Sequence, residues 1–226
     1  MTLSALKASR ALWKRRESYR YKKWRGYVKT KPEGHALRSK WFRLYKEAAG
    51  LVDRRDAQIR AKSKKPVRQR AVEYALSFDG KVKETPANSN KGGRITVWQE
   101  RLGSWLVGQA WCGVFCGNML LHVGVKGVDY RIASVYYIEQ DAKRKLAPYR
   151  GWTTDPKKVL RGDLVVLFGS GVHVGMVVKV EGNYVHTIEG NTSSGNSGSQ
   201  SNGGGVYARK RPLSDVYGFA LVDYPG

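Results

Sequence analysis

The chain of 226 residues carries 41 Lys+Arg against 18 Asp+Glu, a formal net charge of +23, and only two cysteines. That length suits one domain of ordinary size with an added segment, and two cysteines exclude a disulfide framework and fit a reducing compartment. No apolar run approaches the roughly 18 residues of a membrane span, and the start, Met1 to Lys7, has no signal-peptide apolar stretch before the basic residues begin.

The charge is concentrated at the front: residues 1–70 hold 23 Lys+Arg and 5 Asp+Glu, a net near +18, which leaves about +5 for the other 156 residues. In this arm Leu6, Trp13, Tyr19, Trp24 and Tyr27 mark a helix over about 4–28. A second, more regular helix carries Leu37, Trp41, Leu44, Ala48, Leu51 and Gln58, with Pro32 and Gly34 breaking the pattern between them. The expectation is a basic α-helical hairpin over 1–65, joined through Ser63-Lys64-Lys65-Pro66 to a domain over 66–226. Such an arm attracts anionic wall polymers or an envelope surface across a Debye length. A hairpin that is basic only for solubility is the plain alternative. Nucleic-acid binding is the least favoured use, because no recognised DNA-binding motif is present.

Past the linker, Val67 to Phe78 reads as a helix. The Pro-, Asn- and Gly-rich loop of residues 83–93 follows, then a short helix over Arg94–Leu102. Asn88 and Asn90 in that loop can hydrogen-bond a substrate, although asparagine in a turn usually serves the turn. At Trp111-Cys112-Gly113-Val114-Phe115-Cys116 an apolar helical stripe begins, with Cys112, Cys116, Met119/Leu120 and Val123 on one face and Gly124 as its cap. Strands are expected over about 163–168, 172–180, 183–189, 205–210 and 217–223. In the second of these Val172, Val174, Met176 and Val178 share one face, so His173 points to the other, with Gly175 leaving open space beside it. Val185, Thr187 and Glu189 likewise share a side. The Ser/Gly/Asn-rich run 190–205, flanked by strands, reads as a long loop near the mouth of a site.

A thiol at a helix N-terminus, an imidazole on a strand and a carboxylate or amide on the next strand are the parts of an activated cysteine nucleophile. Only the thiolate attacks efficiently, and both the helix start and an imidazolium lower the thiol pKa. A third group must hold the imidazole in one tautomer, a role open to Glu189 or Asn191. The backbone N–H at the helix start, and the side chain of Gln109, are candidate oxyanion donors. Cys116, one turn deeper, reads as core packing. A Cys112–Cys116 disulfide does not suit i,i+4 geometry. No CxxC or HExxH spacing suggests a metal, and His35, His122 and His186 read as structural or solvated.

These pieces resemble a known family. Ala110-Trp111-Cys112-Gly113-Val114-Phe115, Arg161-Gly162-Asp163-Leu164-Val165-Val166-Leu167-Phe168, Val172-His173-Val174-Gly175 and Glu189-Gly190-Asn191 look like the ordered motifs of the CHAP domain (cysteine- and histidine-dependent amidohydrolase/peptidase) over about residues 66–226. Glu84 to Gly93 and the run from Gly190 to Tyr207 further resemble lysins of actinobacterial phages. The resemblance implies an α+β, papain-like fold with N-terminal helices packed on an antiparallel sheet. It implies Cys112 as nucleophile, His173 as base, and Glu189 and Asn191 completing the site, with Asn88, Asn90 and Trp111 as candidate substrate contacts and no metal or organic cofactor. The expected activity is that of an endolysin-like peptidoglycan hydrolase, either an N-acetylmuramoyl-L-alanine amidase or a peptide endopeptidase. It would be held in the host cytoplasm until a holin pore releases it, or delivered on a virion. A catalytically dead wall-binding protein, a protease acting on proteins, and a nucleic-acid-binding protein are the competing classes.

Overall fold

A computed structural model describes residues 2–30, 35–61, 65–195 and 198–225. The chain forms two compact units, Met1–Lys64 and Lys65–Gly226. Among the described residues no helix is long and apolar enough to cross a membrane.

The first unit is a pair of helices, α1 (Leu3–Thr30) and α2 (Ala36–Ala61). Arg10 pairs with Asp56, Arg20 reaches the carbonyl of Leu44, and Trp24 packs on Phe42, so partner numbers fall along α2 as they rise along α1 and the helices are antiparallel. Leu6, Trp24, Tyr45, Ala48 and Val52 are buried between them. The charge-rich sequence thus supplies a narrow apolar seam, and burying it stabilises helices whose outer faces offer little to pack. The Pro32–Gly34 break and the Ser63 and Lys64 part of the linker lie outside the described residues.

The second unit is α+β. Helices α3 (Val67–Leu76), α4 (Gly93–Leu102), α5 (Cys112–His122) and α6 (Val135–Lys143) precede strands β1 (Tyr149–Thr153), β2 (Leu164–Leu167), β3 (His173–Glu181), β4 (Tyr184–Thr192), β5 (Gly205–Pro212) and β6 (Val216–Val222). They form one sheet in the order β1-β6-β2-β3-β4-β5, with every pairing antiparallel. One face carries the main core, where Trp98, Trp111, Phe115, Met119 and Ile138 are fully buried. The other carries a smaller cluster of Val165, Leu167, Val177, Val185 and Phe219. Burial on both faces is why Leu164–Leu167 reads as a continuous apolar run rather than an alternating one.

Two elements go beyond the sequence-based expectation. Helix α6 starts with Val-Tyr-Tyr-Ile, poor helix formers. It is held by tertiary burial of Val135, Ile138, Glu139 and Ala142 at helical spacing. Strand β1 is an edge strand interrupted by Gly151, where its register with β6 shifts, so it shows no regular alternation.

Helix α5 sits at the centre, with nearly every residue buried, and its glycines set how closely its start is held. A Cβ at Gly113 would stand 2.1 Å from the carbonyl oxygen of Ile132, and one at Gly117 2.6 Å from the Ile132 side chain. Gly113→Ala gains about 1 kcal/mol of helix propensity, while overpacking ordinarily costs about 1–3 kcal/mol and more against backbone. The expected outcome is therefore net destabilisation, read as a lower urea midpoint, with the displaced backbone adjoining Cys112. An unchanged midpoint would mean that the Ile132 turn yields freely.

Asp163 secures the other end of the unit. Its buried carboxylate accepts from Arg68 (2.7 Å) and from the backbone N–H groups of Leu160 (2.9 Å) and Val222 (3.0 Å), tying α3, the turn before β2 and the end of β6 together. In the Arg161-Gly162-Asp163 run the aspartate is a structural anchor.

Candidate active site

Three elements converge on the thiol. Cys112 is the first residue of α5, His173 the first of β3, and Glu189 lies toward the end of β4, the antiparallel neighbour of β3. All three side chains are buried, Cys112 with 3% of its surface exposed. Gly175 makes the room: a Cβ there would lie 2.7 Å from Cγ of Glu189. The imidazole meets the carboxylate at 3.1 Å, Nε2 to Oε2. An ionised carboxylate only accepts, so Nε2 carries the hydrogen and donates. Nδ1 has no fully formed hydrogen bond among the described residues, which leaves it to the Cys112 thiol in a looser contact through which the two groups stabilise each other's charge. The backbone N–H groups of Val174 and Gly113 also favour the charged form of the thiol.

Burial alone would push the Cys112 thiol up. The hydrogen bond and charge of His173, with those two N–H groups, outweigh it and bring the thiol below its ordinary value. For His173, burial opposes the charged form, but Cys112 and Glu189 hold its pKa up at about 9. Glu189 is pushed up by burial and pulled down further by His173 and Arg211, to about 2. All three shifts favour the charged forms, with the thiol drawn down, the imidazole held up and the carboxyl drawn down, in a row. One turn along α5, burial and the nearby charges of Cys112 and Glu189 push Cys116 well above the usual thiol range, so it stays a neutral core residue. Helical spacing alone cannot separate the two cysteines; their surroundings do.

The signs of these shifts set a pH window. His173 holds its proton more tightly folded than unfolded, so its contribution to stability is complete below about pH 6.5 and is lost as pH rises through about 9. Glu189 contributes fully above about pH 4.5 and loses that contribution as pH falls through about 2. Cys112 alkylation by iodoacetamide is expected to set in below the ordinary thiol range and to show a further change near pH 9 as the imidazolium is lost. A single rise at the pKa of a free thiol would sink the charged pair.

The largest feature that sequence reasoning missed is Arg211 on β5. It grips Glu189 with both ends of its guanidinium, Nε to Oε1 at 3.0 Å and a terminal nitrogen to Oε2 at 2.6 Å, while Thr187 donates to Oε1 at 2.5 Å. Its other terminal nitrogen donates to Oε1 of Gln200 in the loop before β5 (2.9 Å). The guanidinium also lies over the Phe168 ring (5.3 Å), and that ring in turn stacks on His173 (6.2 Å). Parity along the strand becomes a signal only once the register of β5 against β4 is known. Residues 207, 209 and 211 pair with 189, 187 and 185, which places Arg211 in the same row as Glu189.

The remaining candidate residues fall in different places. Asn191 is fully buried with φ 58°; its amide donates to Asn202 at 3.3 Å, and its Oδ1 has no partner among the described residues. Among the described residues it makes no hydrogen bond to His173, so of the two residues open for the imidazole-orienting role, Glu189 is the one on the ring. Gly190, between them, packs against the Trp111 and Phe115 rings, where a Cβ would come within 2.6 Å of Phe115. Trp111 is fully buried and donates its indole N–H to Glu84 at 2.9 Å, so it props the wall behind the nucleophile instead of facing a substrate. Asn88 is exposed and Asn90 half-buried, both with positive φ, as turn asparagines adopt. Gln99 ties this loop to the site: its amide donates to the carbonyls of Asn90 (3.0 Å) and Gln109 (2.9 Å). Gln109 itself is exposed, three residues before the thiol. His122 stacks on Tyr74, and Nδ1 of His35 accepts from the N–H of Leu37 at the start of α2.

The site brings together a buried thiol, an imidazole held protonated and an ionised carboxylate on the imidazole's Nε2. No family model matches the chain, and neither a curated protein nor a solved structure matches it.

Proposed function

We propose that the chain is a peptidoglycan hydrolase that cleaves an amide bond by covalent catalysis, with the papain-like arrangement of a CHAP domain in residues 66–226. The observation that carries the chemistry is the buried Cys112–His173–Glu189 row, in which the thiol pKa is drawn below its ordinary value by the imidazole and the imidazole is held protonated by its neighbours. The choice of peptidoglycan rests on the resemblance of the motifs around Cys112, His173 and Glu189-Gly190-Asn191.

In this reading the Cys112 thiolate attacks the carbonyl carbon and forms a C–S bond. Backbone N–H groups at the start of α5 stabilise the negative oxygen. The imidazolium of His173 gives its proton to the departing amine nitrogen as the C–N bond breaks, leaving an acyl-thioester. Water then attacks the thioester, losing its proton to neutral His173, and expulsion of the thiolate restores the charged pair. Glu189 keeps Nε2 protonated throughout, so Nδ1 is always the nitrogen that exchanges protons with the reaction. No step calls for a cofactor. The role fits an endolysin, with a virion-associated lysin as the variant of the same activity.

The test is digestion of purified peptidoglycan by wild type and Cys112→Ala, with new termini read by mass spectrometry. Free L-alanine amino ends on intact stem peptides would mean amidase, and cut stems or bridges would mean endopeptidase. Absence of any Cys112-dependent product across wall chemotypes would sink the hydrolase reading.

A further inference from the structure

The helical hairpin carries a groove that the hydrolase reading does not use. Leu12, Arg15, Arg16 and Tyr19 stand at i, i+3, i+4 and i+7 on one face of α1. With Arg20 and with Trp41 and Leu44 of α2 they line a cavity of about 450 Å³. Its floor is apolar, and Leu12 and Tyr19 are 41% and 55% exposed. Arg15 and Arg16 are both exposed, and the guanidinium of Arg16 lies over the ring of Trp13 (4.6 Å). No carboxylate is among the lining residues.

The surrounding charge reinforces this. Helices α1 and α2 hold 17 Lys+Arg against 4 Asp+Glu. Two of the four carboxylates, Glu17 and Asp56, are buried and turned to Lys14 and Arg10. What faces solvent is therefore still more basic than the composition, with an apolar hollow set into it.

We propose that this groove docks the protein on an anionic phospholipid bilayer, with a lipid phosphate between Arg15 and Arg16 and the apolar part of the lipid against Leu12, Tyr19, Trp41 and Leu44. A cationic rim over an apolar floor complements a phosphate joined to hydrocarbon. A duplex offers phosphates without an apolar body to fill the hollow. A single strand would need an open ring face to stack on, whereas Tyr19 and Trp41 meet edge to face at 77° and 6.0 Å. A helix of 28 residues is about 42 Å long and can lie along the surface.

The experiment is co-sedimentation of the full chain with phosphatidylglycerol vesicles, with phosphatidylcholine vesicles and free duplex DNA as the other arms. Binding to phosphatidylglycerol alone is expected, each groove arginine contributing about fivefold. Leu12→Ser with Tyr19→Ser keeps the charge and changes two exposed side chains. It is expected to weaken vesicle binding at least about fivefold, with helix content by circular dichroism and cleavage of purified peptidoglycan unchanged. Undiminished binding by that variant would overturn the groove in favour of diffuse charge, and tighter binding to duplex DNA or equal binding to phosphatidylcholine would overturn the lipid. Because cleavage is read separately, failure here leaves the hydrolase reading standing, and loss of that reading leaves this one.

Discussion

Cys112→Ala is expected to lower turnover of peptidoglycan by roughly 10⁶, and Glu189→Gln by roughly 10³ to 10⁴, the two losses arising in different ways. The alanine removes the atom that forms the bond and the part of the His173 stabilisation that Cys112 supplies, but leaves the hydrogen bonds among His173, Glu189 and Arg211 intact, so it should lose less stability than the glutamine. The glutamine keeps the shape but not the charge. Its amide can turn either an oxygen or an NH₂ group toward Nε2, and the second choice places the imidazole hydrogen on Nδ1, facing the thiol in the wrong tautomer. It also leaves the buried guanidinium of Arg211 without a counter-charge, so this variant should lose stability as well as turnover. Steady-state rates on purified wall material, with urea melts of the same preparations, separate the two. Turnover by Glu189→Gln within tenfold of wild type would take the orienting role from Glu189, and a matching collapse in Asn191→Ala would hand it to Asn191.

How far the site could be read from sequence depended on the range of the interactions. Cys112 at the opening of an apolar helix, His173 opposite Val174 and Met176, and Gly175 beside it are local patterns with periods of 3.6 and 2, so one segment at a time suffices. Arg211 was hidden because a basic residue on a basic strand carries no signal in a chain with 41 Lys+Arg. Only the pairing of β4 with β5 reveals that it lies in the row of Glu189. Trp111 shows the reverse. An aromatic residue beside a nucleophile reads as a substrate contact, and the hydrogen bond to Glu84, 27 residues earlier, is what turns it inward. The fold follows the same rule. The hairpin, α3, α4, α5 and five of the strands carry their own local pattern, a continuous apolar run in β2, while α6 and β1 exist because other elements bury them.

Arg211 also decides what kind of site this is. A carboxylate buried beside an imidazole can settle as a neutral acid and neutral base or as an ion pair, and burial favours the neutral choice. His173 and the guanidinium together tip the balance, Arg211 adding two hydrogen bonds and a positive charge that help hold Glu189 ionised. The ionised carboxylate, with Cys112, then holds His173 protonated. Gln200 and the Phe168 ring fix the guanidinium in turn, so the loop before β5 reaches the nucleophile through a short chain of contacts: Gln200, Arg211, Glu189, His173, Cys112.

Arg211→Met should therefore cost about 3 to 5 kcal/mol of stability at neutral pH, the usual penalty for leaving one partner of a buried pair behind, and lower turnover by about 100-fold through misplacement of the imidazole. Arg211→Lys should recover only part of either loss, because an ammonium cannot match both carboxylate oxygens at once. The pH dependence distinguishes this role from plain packing. Glu189 contributes stability above about pH 4.5 that disappears as pH falls through about 2. With the guanidinium gone the carboxyl pKa rises and that contribution shrinks. The gap between variant and wild type in urea melts should be widest near neutrality and narrow toward acid, and the variant should lose activity at a higher pH on its acid side. A gap that stays constant from neutral pH down to about 3 would mean that Arg211 acts by filling space and that Glu189 owes its charge to His173 alone.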